Sequence, residues 1–108
     1  MPDAARARAI ALGLPETVER DHHGFPSYRV HQKIFATEPD PQHLNVMIAP
    51  EDIRVAVAEN PDCCAERYWG KRLAAVQVDL TAVDEALLAE LITDAWRRKA
   101  PRRLTEDG

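Results

Sequence analysis

The stretch "DHHGFPSYRVHQKIFAT", residues 21–37, decides the fold because it holds two short β-forming runs on either side of a turn. "SYRVHQ" and "KIFATE" are rich in β-branched and aromatic side chains, and Gly24 and Pro26 interrupt the chain before them. The pattern predicts a β-hairpin. Similar runs at 17–23 and 43–49 extend it to three or four antiparallel strands.

Helical patterns flank these strands. Apolar residues recur at spacings of three and four near the N-terminus and predict a first helix over 3–13, with Asp3 as its N-cap. Pro50 suits the first position of a second helix, over 50–59, and the acidic residues that follow it suit the positive end of the helix dipole.

The second half of the chain repeats the change from strand to helix. Strands are predicted at 63–68 and 74–80, with the turn "WGKR" at 69–72 between them. Paired apolar residues every four positions predict a last helix over 82–99, in which Thr81 and Asp84 form an approximate capping box and Trp96 joins the core.

This order of elements indicates an α+β domain in which helices cover an antiparallel sheet. The chain has 108 residues, 45% hydrophobic and 30% charged, which suits one domain. We therefore expect a single domain over 1–104 and a short polar tail over 105–108. No uncharged stretch reaches the ~20 apolar residues of a membrane span, and the N-terminus lacks a signal-peptide core. These features predict a cytoplasmic protein that is not a membrane protein.

Charge is distributed unevenly along the chain. The segment "RRKAPRR", residues 97–103, holds five of the 14 Lys and Arg residues, while residues 1–96 hold nine basic and 16 acidic side chains. Nucleic-acid binding draws most of its affinity from phosphate neutralisation. Any nucleic-acid-binding face of this acidic body must therefore be local.

The residues with reactive side chains lack the spacing of known sites. The four histidines (His22, His23, His31 and His43) and the adjacent Cys63 and Cys64 match no zinc pattern, and Ser27 stands in no nucleophile elbow. We expect no enzyme, cofactor or metal, and two reduced cysteines buried or half-buried on a strand. A ligand or metal site around His22 and His23 is a minor alternative.

Basic residues beside the two predicted turns are more informative. Arg29 and Lys33 flank the first turn, and Lys71 and Arg72 follow Trp69 in the second. At a hairpin tip such cations could straddle phosphates while an aromatic ring stacks on a base. The tail cations Arg97, Arg98 and Lys99 could add to that patch. Charges at a hairpin tip also protect a sheet from edge pairing, and cations at the C-terminal end of a helix interact favourably with its dipole. A structural role of these cations therefore stays open beside a nucleic-acid-binding role.

Several ordered blocks resemble the MmcQ/YjbR family of small bacterial proteins. They are "LGLPETVERDHHGFPSYRVHQKIFAT", "HLNVMIAPED", "YWGK" and "TDAWRRKAPRRL", and the resemblance covers residues from about 10 to 104. It implies an α-β(3 or more)-α-β(2)-α fold, similar to that of type III secretion chaperones, and it implies DNA binding through a double wing, without an established activity. Arg29 and Lys33 match the family's first block, and Trp69 and Lys71 match its second turn. Relatives usually continue that turn with Gly and Trp, where this sequence has Leu73 and Ala74.

Two function hypotheses follow. The first is a DNA-associated accessory protein that uses Arg29, Lys33, Trp69, Lys71 and Arg72 at two turns, helped by the tail cations, with weak and salt-sensitive binding. The second is a protein-interaction or chaperone-like module that uses its sheet surface or a strand edge for a partner or for a homodimer.

Overall fold

The computed structural model describes residues 2–105. Its elements follow the order α1 (Ala4–Leu12), β1 (Thr17–His22), β2 (Phe25–Val30), β3 (Lys33–Asp40), β4 (His43–Val46), α2 (Pro50–Glu59), β5 (Cys64–Trp69), β6 (Arg72–Asp79), α3 (Glu85–Lys99) and α4 (Arg102–Thr105). The strands form one antiparallel sheet in the order β1-β2-β3-β4-β6-β5. The predicted α+β fold is therefore confirmed.

Three helices cover one face of this sheet. α3 packs on β3 and β4, α1 lies beside α3 against β1, and α2 packs on β5 and β6. The apolar face of each helix and the facing strand residues form one core, in which Val46, Val76 and Ile92 are fully buried. Trp96 belongs to this core as predicted, since it is 5% exposed and its indole N–H donates to the carbonyl of Pro15 over 3.0 Å.

The opposite face of the sheet carries a row of paired residues that crosses all six strands and is polar on five of them. In register order the row is Arg20, Ser27, Thr37, Asn45, Gln77 and Ala65. Its neighbouring row contains core residues, and successive strand residues point to opposite faces, so this row points away from the helices. The amide of Asn45 donates to Thr37 and accepts from Gln77, each over 3.4 Å, which pairs the polar groups at the centre of the row.

Two element boundaries differ from the sequence prediction by three residues. α3 begins at Glu85 rather than at 82, because Asp84 accepts from the backbone N–H of Leu87 and caps the helix, while Thr81 bonds to Asp79 instead. β4 ends at Val46 rather than at 49; the N–H of Met47 still donates to the carbonyl of Phe35 over 2.9 Å, and the chain then leads into α2 at Pro50. Asp3 caps α1 as predicted.

The second turn and the C-terminus also differ from the prediction. Trp69 closes β5 and Arg72 opens β6, so the predicted four-residue turn contains only Gly70 and Lys71. The short helix α4 ends at Thr105, the first residue of the predicted tail over 105–108, and residues 106–108 lie outside the described part of the chain. Within residues 2–105, no helix is long and apolar enough to cross a membrane.

Candidate nucleic-acid interface

The topology brings the two predicted turns to the same end of the sheet. β3 and β6 both run antiparallel to β4, so the first residues of both strands lie beside the last residues of β4. The β2–β3 turn precedes Lys33, and the β5–β6 turn precedes Arg72. The C-terminus of α3 reaches the same end, since Arg98 contacts the segment that follows β4.

Backbone conformation fixes both turns. His31 and Gln32 have φ values of 48° and 70°, the left-handed pair of a two-residue hairpin whose twist matches its strands. Gly70, with φ 64°, supplies the left-handed residue of the second turn, where a side chain would be strained. The result places Lys33 directly after the first turn and Lys71 at the tip of the second.

Four cations converge at this end. Burial lowers the pKa of Lys99, and repulsion from Arg98, Lys33 and Arg72 lowers it further. These side chains come from β3, β6 and α3, so only the folded chain assembles them. Within residues 2–105, none of the ion pairs includes any of the four. Within that range, no carboxylate pairs with their positive charge.

A small cavity of about 110 Å³ lies among these cations. Its lining consists of Met47, Pro50, Trp69, Arg72, Leu73, Ala74, Arg98 and Lys99. Trp69 is 42% exposed, and the guanidinium of Arg72 lies 5.5 Å from its ring centre in a cation–π contact. The cavity therefore combines cationic and aromatic groups, which together suit phosphate and a nucleobase.

The cations at this end differ in their hydrogen bonding and in their exposure to solvent. Arg98 donates to the carbonyl of Met47 over 3.1 Å and to that of Ile48 over 3.4 Å, so part of its guanidinium holds the chain between β4 and α2. Lys33 and Arg72 are exposed, and Lys99 is half-buried. Hereafter "the basic end" means Lys33, Trp69, Lys71, Arg72, Arg98 and Lys99.

Two predicted residues do not join this group. Arg29 is half-buried, and its Nε donates to the Oγ of Ser27 over 3.1 Å, so the side chain turns back along β2 toward the face opposite the helices. Arg97 is exposed on α3 but does not line the cavity. Arg29 shares a face of β2 with Ser27 because strand residues two apart point to the same side of a sheet.

A charge cluster that no sequence pattern indicates lies beside the β2–β3 turn. Arg103 of α4 makes two hydrogen bonds of 3.0 Å to the carboxylate of Glu16, which also contacts His31 Nε2 over 2.6 Å. Arg103 and then His31 lower the pKa of Glu16 by hydrogen bonding. This cluster neutralises part of the basic tail, so the tail contributes less free charge than its composition suggests.

The remaining histidines and the cysteines do not form a metal cluster. Among the described residues, no group of three or more His, Cys, Asp or Glu side chains is placed to hold a metal ion. His22 and His23 stack edge to face with ring centres 4.5 Å apart, and His22 also contacts Phe25. Both cysteines are free, and burial raises the pKa of Cys64 to about 12, which makes its thiol a poor nucleophile.

Comparisons with known proteins agree with this architecture. A family model described as YjbR matches residues 12–98, which is most of the chain. The chain belongs to the YjbR family. The fold of this YjbR protein also resembles the crystal structure of Deinococcus radiodurans protein DR2400, which contains a DUF419 domain, with a TM-score of 0.78 and 19% identity over 99% of this chain and 88% of that one. At this identity the likeness concerns the fold alone. A search of curated proteins found no match.

Proposed function

We propose that this YjbR protein binds the phosphate backbone of nucleic acid through the basic end of its sheet. The observation that carries the proposal is the convergence of Arg72 and Lys99 on a cavity walled by an exposed Trp69, with Lys33 close enough to repel Lys99. Within residues 2–105, none of these three cations has a carboxylate partner. Cations held together without a counter-charge favour a polyanion that supplies one.

Weak binding is expected because the rest of the molecule is acidic. The whole chain carries a formal charge of −4, so long-range electrostatics repel a nucleic acid until the basic end contacts it. Few phosphates can be reached by four or five side chains. The role is one of binding rather than of catalysis, and specificity for a base sequence is not part of the proposal.

Single-stranded nucleic acid fits the site better than a duplex. The cavity is small, and an exposed tryptophan can stack on a base only where that base is free of its partner strand. Arg72 already lies over the Trp69 ring, so a base would stack on the other face of the indole. Binding to a single strand should therefore quench the fluorescence of Trp69, while the buried Trp96 stays unaffected.

Fluorescence anisotropy of labelled single strands and duplexes at low salt tests the proposal. The variant Arg72→Gln/Lys99→Gln should bind at least tenfold more weakly than wild type. The matched control is Arg20→Gln/Arg67→Gln, which removes the same charge from exposed positions on β1 and β5 that do not line the cavity. Equal binding by both variants would contradict a site at the basic end, as would the absence of binding by the wild type.

A protein-interaction role is the second candidate, and the edge strand β5 favours it. β5 pairs only with β6 within the described chain, and its residues after Cys64 are exposed, with Tyr68 48% exposed. An open edge offers backbone groups to an added strand. Sedimentation equilibrium of the wild type and of an Ala65→Pro variant tests it: self-association that the proline abolishes would support pairing through β5, and a monomer at all concentrations would exclude a homodimer.

A further inference from the structure

Two adjacent thiols meet at the start of β5. The Sγ atoms of Cys63 and Cys64 lie 3.8 Å apart, and both residues are unbridged. Backbone bonds hold this geometry, because the N–H groups of both cysteines donate to the carbonyl of Asn60 and the carbonyl of Cys63 accepts from Asp79 over 2.8 Å. Neighbouring residues of a regular strand would direct their side chains to opposite faces. The turn after α2 instead brings the two sulfur atoms together.

This separation matches a chelating pair of thiolates. Two thiolates bound to one tetrahedral ion, each about 2.3 Å from it, lie about 3.8 Å apart. The two sulfur atoms can therefore bind one ion with little movement. Soft cations such as zinc and cadmium prefer thiolate ligands, whereas calcium and magnesium prefer oxygen.

The surroundings of the thiols suit an ion as well. Both cysteines line a cavity of about 120 Å³ together with His43, Asp62 and Asp79. The Nδ1 atom of His43 lies 3.0 Å from both carboxylate oxygens of Asp40, and within residues 2–105 no hydrogen bond engages its Nε2 atom. Metal-binding histidines commonly have their second ring nitrogen held by a carboxylate, a backbone carbonyl or water.

We propose that Cys63 and Cys64 form a bidentate site for a thiophilic divalent cation of the zinc and cadmium class. The two thiolates are the protein ligands, and water completes the coordination, since no third ligand lies close enough among the described residues. Because burial raises the pKa of the Cys64 thiol, that thiol is protonated before an ion binds, and the cation must displace its proton. As the two metal–sulfur bonds form, two coordinated waters leave and both thiols release their protons to solvent. The site lies at the opposite end of β6 from the basic end, so it does not depend on nucleic-acid binding.

Cadmium titration of the full chain tests this site. The thiolate-to-cadmium charge-transfer band in the ultraviolet should grow to one Cd²⁺ per chain. Cys63→Ser and Cys64→Ser should each lower the affinity at least tenfold, because either change removes one arm of the chelate. His31→Gln, at a histidine outside the cavity, is the matched control and should bind as the wild type does. A stoichiometry of one ion per two chains, or wild-type affinity in either cysteine variant, would overturn the proposal.

A second measurement does not depend on the folding of the Cys64 variant. Cys64 is 4% exposed and packs in the core, so its substitution can unfold the chain. In the wild type, Cd²⁺ should slow alkylation of Cys63 by iodoacetamide at least tenfold. Unchanged alkylation at saturating Cd²⁺ would show that the ion does not bind the thiols.

Discussion

The buried hydroxyl of Tyr28 lowers the free energy of unfolding. Its side chain is 1% exposed, and within the described chain its hydroxyl oxygen has no hydrogen-bond partner. Burial, together with the charges of Glu38 and Glu19, raises its pKa. Tyr28→Phe should therefore raise the free energy of unfolding by up to about 1 kcal/mol. Urea denaturation measures the change, and a loss of more than about 1 kcal/mol would mean that the hydroxyl has a partner.

Glu38 introduces a pH dependence. Burial raises the pKa of its half-buried carboxyl, and repulsion from Glu19 and Asp40 adds to the shift. Between the unfolded and the folded pKa values the native state holds more protons than the unfolded chain, so stability falls as pH rises through that window.

Glu38→Gln removes this charge and should stabilise the protein at neutral pH. The gain in stability of the variant over the wild type should shrink as pH falls through the folded pKa of Glu38, and it should vanish below the usual glutamate range near pH 4. Thermal melts of both proteins from pH 4 to 8 give the comparison. Glu90→Gln is the control, since it removes an exposed carboxylate of α3 that does not act on Glu38, and it should not stabilise. A variant less stable than the wild type at pH 7 would contradict this electrostatic cost.

Predictions about single residues were confirmed where the residue type and its position in the chain are enough to determine its role. Asp3 caps α1 because the residue type and its position suffice, and Trp96 enters the core because it continues an apolar stripe. Thr81 and Asp84 were predicted to form one capping box, but Asp84 alone caps α3. Asp79 engages Thr81 in a turn that the pattern does not reveal.

At the scale of elements, Arg98 links α3 to the chain between β4 and α2. It donates to two backbone carbonyls there, whereas Lys99 beside it has no such bond. Arg98→Gln should lower the free energy of unfolding by about 1 kcal/mol, and Lys99→Gln should leave it unchanged within about 0.5 kcal/mol. Both should weaken nucleic-acid binding. Urea denaturation measures the effect on stability, and fluorescence anisotropy on the same samples measures the effect on binding. Equal losses of stability in the two variants would contradict a structural role of Arg98.

Element order was predictable because hydrophobic period distinguishes strands from helices. Element ends were less so: β4 stops at Val46 although β-forming residues continue to Ile48. α4 is only four residues long and carries no periodic signal, and its contact with Glu16 spans almost the whole chain. Long-range contacts of this kind cannot be read from local pattern.

At the scale of the whole molecule, the fold gathers basic side chains from distant parts of the sequence at one end of the sheet. The sequence identifies two basic turns and a basic tail, but only the strand order β3-β4-β6 places both turns at one end, beside the C-terminus of α3. The same assembly leaves Arg29 outside the group. The basic end is thus a property of register and topology rather than of composition.

The salt dependence of single-strand binding tests the central claim most directly. Three or four phosphate contacts at the basic end predict a slope of about −2 to −3 in a plot of log affinity against log salt concentration. Arg72→Gln/Lys99→Gln should reduce the steepness by about 1.4, since each removed contact accounts for about 0.7 on a single strand. Arg20→Gln/Arg67→Gln should leave the slope unchanged. A slope near zero in the wild type, or an equal reduction in both variants, would contradict a phosphate site at the basic end.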